Sequence, residues 1–200
     1  MALLKTPRVV SLPVRLVSAA FFLLSGSCLI FADTVLSPSL AQAFREYDLK
    51  AVFLFNFAQF VEWPTEAFPD ANAPLVIGVL GSDPFGAALD QTVRGETANG
   101  HPFLIKRYSN VDDVSGCHIL FISRSETAHL GQIVERLRGT NTLTVSDADD
   151  FAQRGGMILF VTENNRIRLK INVAAAKAAR LSLSSKLLRP AEIVGSEQQG

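Results

Sequence analysis

The stretch LVIGVLGSDP, residues 75–84, carries the clearest fold signal in the chain. Its first six residues are apolar or glycine, a run typical of a strand that is buried on both faces. The turn that follows offers Ser82 or Asp83 as the cap of a helix whose first residue is Pro84. A buried strand that leads through a capped turn into a helix is the repeating unit of α/β folds.

The same alternation continues after this unit. Helices are predicted over residues 85–94 and 126–138, and short apolar runs at 103–106, 119–122 and 142–145 predict further strands. Strands that alternate with helices favour an α/β fold, here a three-layer sandwich whose central sheet is mostly parallel.

The sheet is predicted to end in an antiparallel hairpin. Residues 157–161 are uniformly apolar, whereas residues 167–171 alternate, with Arg168 and Lys170 on the polar face. Such alternation is typical of an antiparallel strand with one face in solvent, so we expect the hairpin at a mixed edge of the sheet. Asn172 is predicted to cap the helix that follows.

Upstream of the first strand, residues 44–62 predict a helix that ends before Pro64, because the residue before a proline disfavours helical geometry. Apolar residues at helical spacing form a stripe that we expect to face the core: Leu49, Phe53, Phe57, Phe60 and Val61. An ordinary surface helix keeps its opposite side polar, yet this outer face also carries large apolar side chains. The outer face consists of Val52, Phe55, Gln59, Glu62 and Trp63.

The apolar excess on the outer face has two explanations. Either other segments bury the helix completely, or the outer face is exposed and binds a partner, since exposed apolar patches mark interaction surfaces. We predict that a partner protein binds the five residues of the outer face. The polar face of Arg168 and Lys170 is the second predicted place for partner binding.

The N-terminus has the features of a secretory signal peptide. Lys5, Arg8 and Arg15 precede an uncharged apolar run at residues 16–31, and Ala41-Gln42-Ala43 matches the small-x-small pattern of a signal peptidase site. These features predict export to the periplasm.

The chain is therefore expected to have three parts. Residues 1–43 are predicted to be a cleaved signal peptide, residues 44–195 a single α/β domain, and residues 196–200 a flexible tail. The alternative is an uncleaved N-terminal anchor, because about ten residues separate the apolar run from the cleavage site.

Charge and motif spacing exclude several function classes. Basic and acidic side chains are equal in number and no basic face stands out, so no nucleic-acid partner is expected. The histidines lack metal-ligand spacing, and the aspartates at 147, 149 and 150 lack the glycine and glutamate of a calcium loop. No acid, base and nucleophile form a recognisable set, so we expect no metal, no cofactor and no catalysis.

Two smaller features leave alternatives open. The turn at Ser82 and Asp83 lacks the glycine spacing of a dinucleotide site, but a helix start can hold an anion, so it is a weak candidate for ligand binding. Cys117, the one cysteine after residue 43, is expected to be a buried core residue with a free thiol. Its alternative role is an intermolecular bridge.

Two long motifs resemble a known family. KAVFLFNFAQFVEWP, residues 50–64, resembles the opening motif of the YfiR-like periplasmic family. INVAAA at residues 171–176, continued by ARLSLSSKLL at 179–188, is similar to the family patterns I-N-x-x-A-A and G-L-x-I-S-S-K-L-L. Arg180 stands where the family commonly has glycine, which puts a tight turn there in question. The resemblance covers nearly all of residues 44–195.

This resemblance implies a function that composition and spacing do not reach. Such proteins are periplasmic repressors that bind the periplasmic sensory domain of a membrane-bound diguanylate cyclase and so limit cyclic-di-GMP signalling and biofilm formation. The resemblance also implies a homodimer and a further partner, an outer-membrane lipoprotein that sequesters the repressor. The disulfides of its best-studied relative are not expected, because only Cys117 follows the signal peptide. The alternative function is a periplasmic small-ligand sensor that uses Ser82 and Asp83.

Overall fold

Helix α1 (Pro38–Phe60) is the first element of the computed structural model, which describes residues 38–195. These residues belong to one compact unit. The predicted tail and most of the predicted signal peptide lie outside the described residues. Within residues 38–195, no helix combines the length and the apolar character that crossing a bilayer requires.

The remaining elements are short. The other helices are α2 (Ala87–Val93), α3 (Leu130–Arg136), α4 (Val173–Ala178) and α5 (Ser185–Leu188). The strands are β1 (Val61–Glu62), β2 (Leu75–Leu80), β3 (Thr97–Ala98), β4 (His101–Tyr108), β5 (Ile119–Ile122), β6 (Leu143–Ser146), β7 (Ile158–Glu163), β8 (Arg166–Asn172), β9 (Ser182–Leu183) and β10 (Glu192–Val194).

Eight strands form one sheet in the order β10-β8-β7-β6-β5-β2-β4-β3. The neighbours from β4 to β7 run parallel, whereas β7 pairs antiparallel with β8 and β3 pairs antiparallel with β4. Helices cover both faces, so the predicted α/β sandwich with a mostly parallel sheet and an antiparallel hairpin is confirmed. β10 pairs parallel with β8, which places the hairpin one strand inside the edge of the sheet.

The sheet separates two apolar clusters. All six residues of β2 are buried, because helices lie on both of its faces. On one face α1, α2 and α5 pack with buried side chains that include Leu54, Leu89 and Leu187. On the other face α3 packs through Leu130 and Ile133.

The face of α1 that meets the sheet differs from the predicted stripe. Phe57 is fully buried as expected, but Leu49 is 46% exposed, and Leu54, which was not in the stripe, is fully buried. The difference arises because Lys50 is buried, at 1% exposure, beside Asp147. When Lys50 faces the sheet, the preceding residue turns away by about 100°.

A helix cap and a tight hairpin turn shape the C-terminal elements. Asn172 caps α4 as predicted, because its Oδ1 accepts a hydrogen bond of 2.9 Å from the Ala175 amide. Asn164 and Asn165 join β7 to β8 with φ of 49° and 58°, the left-handed pair that a tight two-residue hairpin turn requires.

Candidate partner-binding surface

The outer face of α1 is exposed at its middle. Val52 is 42% exposed, and Leu49, three residues earlier and therefore on the same side, is 46% exposed. Both belong to the few large apolar side chains that the described part of the chain leaves open to solvent. Together they form a small apolar patch that no other segment of residues 38–195 covers.

Phe55 is less exposed than the sequence pattern predicts. Its side chain is half-buried, and its ring centroid lies 5.4 Å from that of Phe103 on β4. Phe55 therefore supports the outer face and also contributes to packing between α1 and the sheet.

Gln59 joins the outer face of α1 to the β3–β4 hairpin. Its Nε2 donates a hydrogen bond of 2.9 Å to the Thr97 carbonyl oxygen. The hairpin itself turns at Asn99 and Gly100, whose φ values of 52° and 90° are those that an Asn-Gly dipeptide adopts readily. The outer face thus continues from the helix onto the hairpin.

The end of α1 is joined to the second family-like motif. β1 pairs antiparallel with β9, with Val61 opposite Leu183 and Glu62 opposite Ser182. The Ser184 amide donates a further hydrogen bond of 2.9 Å to the Phe60 carbonyl oxygen. The two motifs quoted from opposite ends of the sequence are therefore neighbours in the structure.

Beside this junction lies a concave site that we call the acidic cleft. Its volume is about 570 Å³. One wall is formed by the segment between β1 and β2, and the other by the β3–β4 turn. The residues that line it are Glu62, Trp63, Thr65, Phe68, Pro69, Asp70, Ala71, Leu75, Ala98, Asn99 and His101.

Stacked rings hold the wall of the acidic cleft. The Phe68 ring lies between two imidazoles, with its centroid 3.9 Å from His101 and 4.3 Å from His118, and both pairs are stacked. Trp63 meets His118 edge-on at 6.0 Å. The Trp63 Nε1 is buried and has no hydrogen-bond partner among the described residues.

His118 is neutral in this arrangement. The Val76 amide donates to His118 Nδ1 at 3.0 Å, so the proton lies on Nε2, which donates to the Ala67 carbonyl oxygen at 3.1 Å. Burial lowers the pKa of His118. The imidazole therefore fastens the segment that carries Phe68 to the start of β2.

Arg180 adopts the conformation that glycine would allow. Its φ is 60°, so the tight turn forms despite the substitution. Its guanidinium lies 2.6 Å from the Glu66 carboxylate, beside the acidic cleft.

The second predicted surface lies elsewhere. Arg168 and Lys170 project from the face of the sheet opposite α1, since they alternate with Leu169, which packs on the α1 side. Arg168 lies 3.5 Å from Glu163, and Lys170 lies 3.2 Å from Glu192. The structure does not bring these two residues together with the outer face of α1.

The weak ligand candidate lies at the carboxyl end of β2. This is the point where the order of the parallel strands reverses, between β2 and β5, the usual location of ligand sites in such sheets. Asp83 Oδ1 caps the turn by accepting from the Phe85 amide at 2.8 Å, and Oδ2 accepts from Arg107 at 2.6 Å. The Ser82 amide donates to Ser125 Oγ at 3.0 Å. The Asp83 carboxylate is therefore already engaged.

The structure contains a buried charge cluster that the sequence patterns did not predict. Lys50 Nζ lies 2.6 Å from both Glu46 and Asp147, and Tyr47 donates to Asp147 at 2.8 Å. Burial and the adjacent Asp147 charge raise the pKa of Tyr47. Arg124 donates to the Asp147 carbonyl oxygen at 3.0 Å. The available signal was a lysine inside an apolar helix and an aspartate directly after a buried strand.

The sequence predictions also concern metal-binding groups and the cysteine thiol. In this part of the chain, no group of three or more His, Cys, Asp and Glu side chains is arranged to hold a metal ion. Cys117 is buried and free as predicted, and burial raises the pKa of its thiol to about 12. The thiol is therefore protonated at neutral pH and poorly reactive.

Comparisons with known proteins agree with the motifs. A protein-family model described as YfiR/HmsC-like matches residues 47–192. A search of curated proteins found no match.

Proposed function

Because the chain belongs to the YfiR/HmsC-like family, we propose that it binds the periplasmic sensory domain of a membrane-bound diguanylate cyclase and represses that enzyme. The family consists of periplasmic, non-catalytic regulators of diguanylate cyclase systems in general. The observation that carries the proposal is the match over residues 47–192, which includes both end motifs. The proposed consequence of binding is lower cyclic-di-GMP and less biofilm.

The outer face of α1 is the proposed docking surface. The patch of Leu49 and Val52 is apolar and exposed, which is the composition of a contact region in a protein interface. Gln59, Glu62 and Trp63 extend it toward the acidic cleft. Phe55, three residues after Val52, packs against Phe103 on β4.

Export and assembly belong to the same proposal. We expect cleavage after Ala43, so that the mature chain begins at Phe44. Cleavage would remove Gln42, whose Nε2 donates to Asn165 Oδ1 at 2.8 Å, but it would keep Lys50 and its ion pairs. N-terminal sequencing of periplasmic protein tests this expectation, and recovery of the full-length chain in membranes would contradict it.

A homodimer and an outer-membrane lipoprotein that sequesters the repressor complete the proposal. Because the Cys117 thiol is buried, the dimer is expected to form without a disulfide. Non-reducing electrophoresis and sedimentation together test this point. A dimer that dissociates on reduction would contradict it.

The alternative, a small-ligand sensor, has weaker support. Its site at Ser82 and Asp83 lies at a favourable place in the sheet, but the Asp83 carboxylate repels anions and is bound by Arg107. The remaining alternative at Arg168 and Lys170 is weakened because both cations are paired with glutamates.

The deciding experiment measures cyclic-di-GMP in cells. Deletion of the gene should raise the cyclic-di-GMP level, and wild-type protein supplied in trans should restore it. A membrane pull-down with the mature protein as bait should recover a diguanylate cyclase. An unchanged cyclic-di-GMP level after deletion, with no cyclase recovered, would contradict the proposed function.

A further inference from the structure

The composition of the acidic cleft points to a specific occupant. We propose that the cleft receives an arginine side chain from the partner protein, with its guanidinium between Glu62 and Asp70 and against Trp63. That the arginine comes from a protein partner rests on the proposed function. The charges, the rings and the fixed shape of the cleft favour a planar cation independently of that function.

The charges of the cleft are unbalanced. Glu62 and Asp70 line it, whereas none of its lining residues is a lysine or an arginine. Neither carboxylate forms an ion pair within residues 38–195, although one Asp70 oxygen accepts from the Asn72 amide at 2.8 Å. Two carboxylates around one concavity create a negative potential that attracts a cation.

Other acidic side chains of the fold, unlike Glu62 and Asp70, are paired with a cation. Glu66 lies in the same segment, but Arg180 neutralises it at 2.6 Å. Elsewhere in the fold, Asp83 and Asp90 share Arg107. Glu62 and Asp70 are thus unlike these acids, because they face the same cleft and share no cation supplied by the described chain.

The rings of the cleft favour a planar cation with an apolar stem. Both faces of Phe68 are covered by imidazoles, so its role is to support the wall. Trp63 is the ring that remains to contact an occupant, and tryptophan is the strongest partner for a cation over its face. A guanidinium can stack on an indole while it donates to carboxylates in its own plane, whereas an ammonium cannot.

The size and the rigidity of the cleft also suit an arginine side chain. A volume of about 570 Å³ lies in the range of sites that bind small ligands and accommodates an arginine side chain with part of its backbone. The hydrogen bonds of His118 to Val76 and Ala67 hold the wall in place before anything binds. A preformed site loses less conformational entropy on binding.

The cleft is continuous with the proposed docking surface. α1 ends at Phe60, and Glu62 and Trp63 lie within three residues of that end. Gln59 joins the helix to the hairpin that forms the opposite wall of the cleft. Val52 lies about 10 Å along the helix axis from Gln59, at a rise of ~1.5 Å per residue. One partner segment can therefore cover the apolar patch and place an arginine in the cleft.

A peptide titration tests the cleft without the cyclase. Trp63 is the only tryptophan in the chain, so its indole NMR signal reports on this site alone. The probe is the capped peptide acetyl-Gly-Arg-Gly-amide, and the control peptide carries citrulline, which is neutral and nearly the same shape. We expect a saturable shift of the indole signal with arginine, in about the millimolar range, and none with citrulline.

Matched variants complete the test. Glu62→Gln with Asp70→Asn should weaken arginine binding by about tenfold or more, since each carboxylate supplies charge-assisted hydrogen bonds. Asp112→Asn with Glu135→Gln, on the opposite side of the sheet, removes equal charge and should leave binding unchanged.

Equal shifts with citrulline, no shift with arginine, or equal weakening by the control pair would each overturn the proposal. None of these results bears on whether gene deletion raises cyclic-di-GMP, so failure of the cleft and failure of the repressor function are separable.

Discussion

Lys50 and Asp147 are 97 positions apart in the sequence and form an ion pair of 2.6 Å in which each side chain is 1% exposed. The pair connects α1 to the carboxyl end of β6. Because it determines which side of α1 faces the sheet, it also determines that Val52 points to solvent.

Loss of one partner of this pair should destabilise the domain. Lys50→Ala removes the buried cation of Asp147 and leaves only the exposed Arg124, 3.5 Å away, beside its carboxylate. Loss of one partner of a buried pair costs about 3–5 kcal/mol. For a domain of this size the melting temperature should fall by roughly 10 °C or more. Lys50→Met combined with Asp147→Asn should recover part of the loss, because the charges that remain, on Glu46 and Arg124, are at least partly open to solvent. The surface variant Glu163→Ala is the control and should change stability by under about 1 kcal/mol. A Lys50→Ala protein as stable as that control would contradict the structural role of the pair.

Substitutions along α1 should separate binding from stability. Val52→Asp changes an exposed side chain, so its unfolding free energy should stay within about 1 kcal/mol of wild type. The same change should weaken cyclase binding by about tenfold or more if the patch lies in the interface. Phe57→Ala should cost about 3–5 kcal/mol of stability, because Phe57 is fully buried.

Phe55→Ala should show both effects, since Phe55 is half-buried against Phe103. Thermal melts and binding assays on Val52→Asp, Phe57→Ala and Phe55→Ala check which of the three loses affinity, which loses stability and which loses both. If Val52→Asp retains full binding affinity, the docking surface lies elsewhere, and Arg168 and Lys170 are the next residues to test.

Stability should decline on mild acidification because of His118. Its folded-state pKa is lowered by burial, so the unfolded chain takes up a proton first, near its ordinary pKa of about 6.5. The stabilising contribution is complete above that pH and is lost as the pH falls through the folded pKa. His118→Gln should therefore show a smaller drop in melting temperature between neutral and acidic buffer. His129→Gln, at an exposed position, should retain the wild-type drop. If the melting temperatures of wild type, His118→Gln and His129→Gln fall equally on acidification, His118 is not the cause of the loss of stability.

Arg180 offers a direct measure of backbone strain. Its φ of 60° suits glycine, and its contact with Glu66 is between exposed groups worth at most about 1 kcal/mol. Arg180→Gly and Arg180→Ala both remove the ion pair, but only glycine relieves the strain. The glycine variant should be more stable than the alanine variant by about 1 kcal/mol, or roughly 2–4 °C in melting temperature. An alanine variant of equal or greater stability would refute this account.

Continuous apolar runs made much of the fold predictable, but only one of the two predicted helix caps forms. The cap predicted at Ser82 or Asp83 is wrong, because α2 begins at Ala87 after Gly86 and the Asp83 side chain instead holds the turn before it. β2 and β5 occupy the residues predicted for them, and the Asn172 cap forms as predicted, because each depends on a local pattern. The rotation of α1 was not predictable from periodicity, since both of its sides are apolar and a long-range ion pair decides between them. β1 and β9 have two residues each, too few for any periodic pattern.

The candidate site was predictable only in part. Glu62 and Trp63 were predicted as part of the outer face of a helix over residues 44–62, but α1 ends at Phe60 and Glu62 belongs to β1. Phe68, Asp70 and His101 complete the cleft from segments without a periodic pattern. Their proximity depends on the β3–β4 hairpin and on the imidazole of His118. The Asn99-Gly100 dipeptide, a common hairpin turn, was an available signal for one wall of the cleft that the sequence predictions did not use.

The pairing of Val61 with Leu183 has a consequence for synthesis. A ribosome completes α1 long before β9, and at ~5–20 residues per second the interval is on the order of ten seconds. During that time β1 lacks its partner β9, and the strands of the sheet that cover α1 are synthesised only one after another. Contacts between such distant positions also form slowly in a refolding chain. The nascent chain therefore exposes apolar side chains that are buried in the folded protein, and it depends on chaperone protection until they are covered. A protein truncated before residue 182 should aggregate rather than form a smaller stable domain.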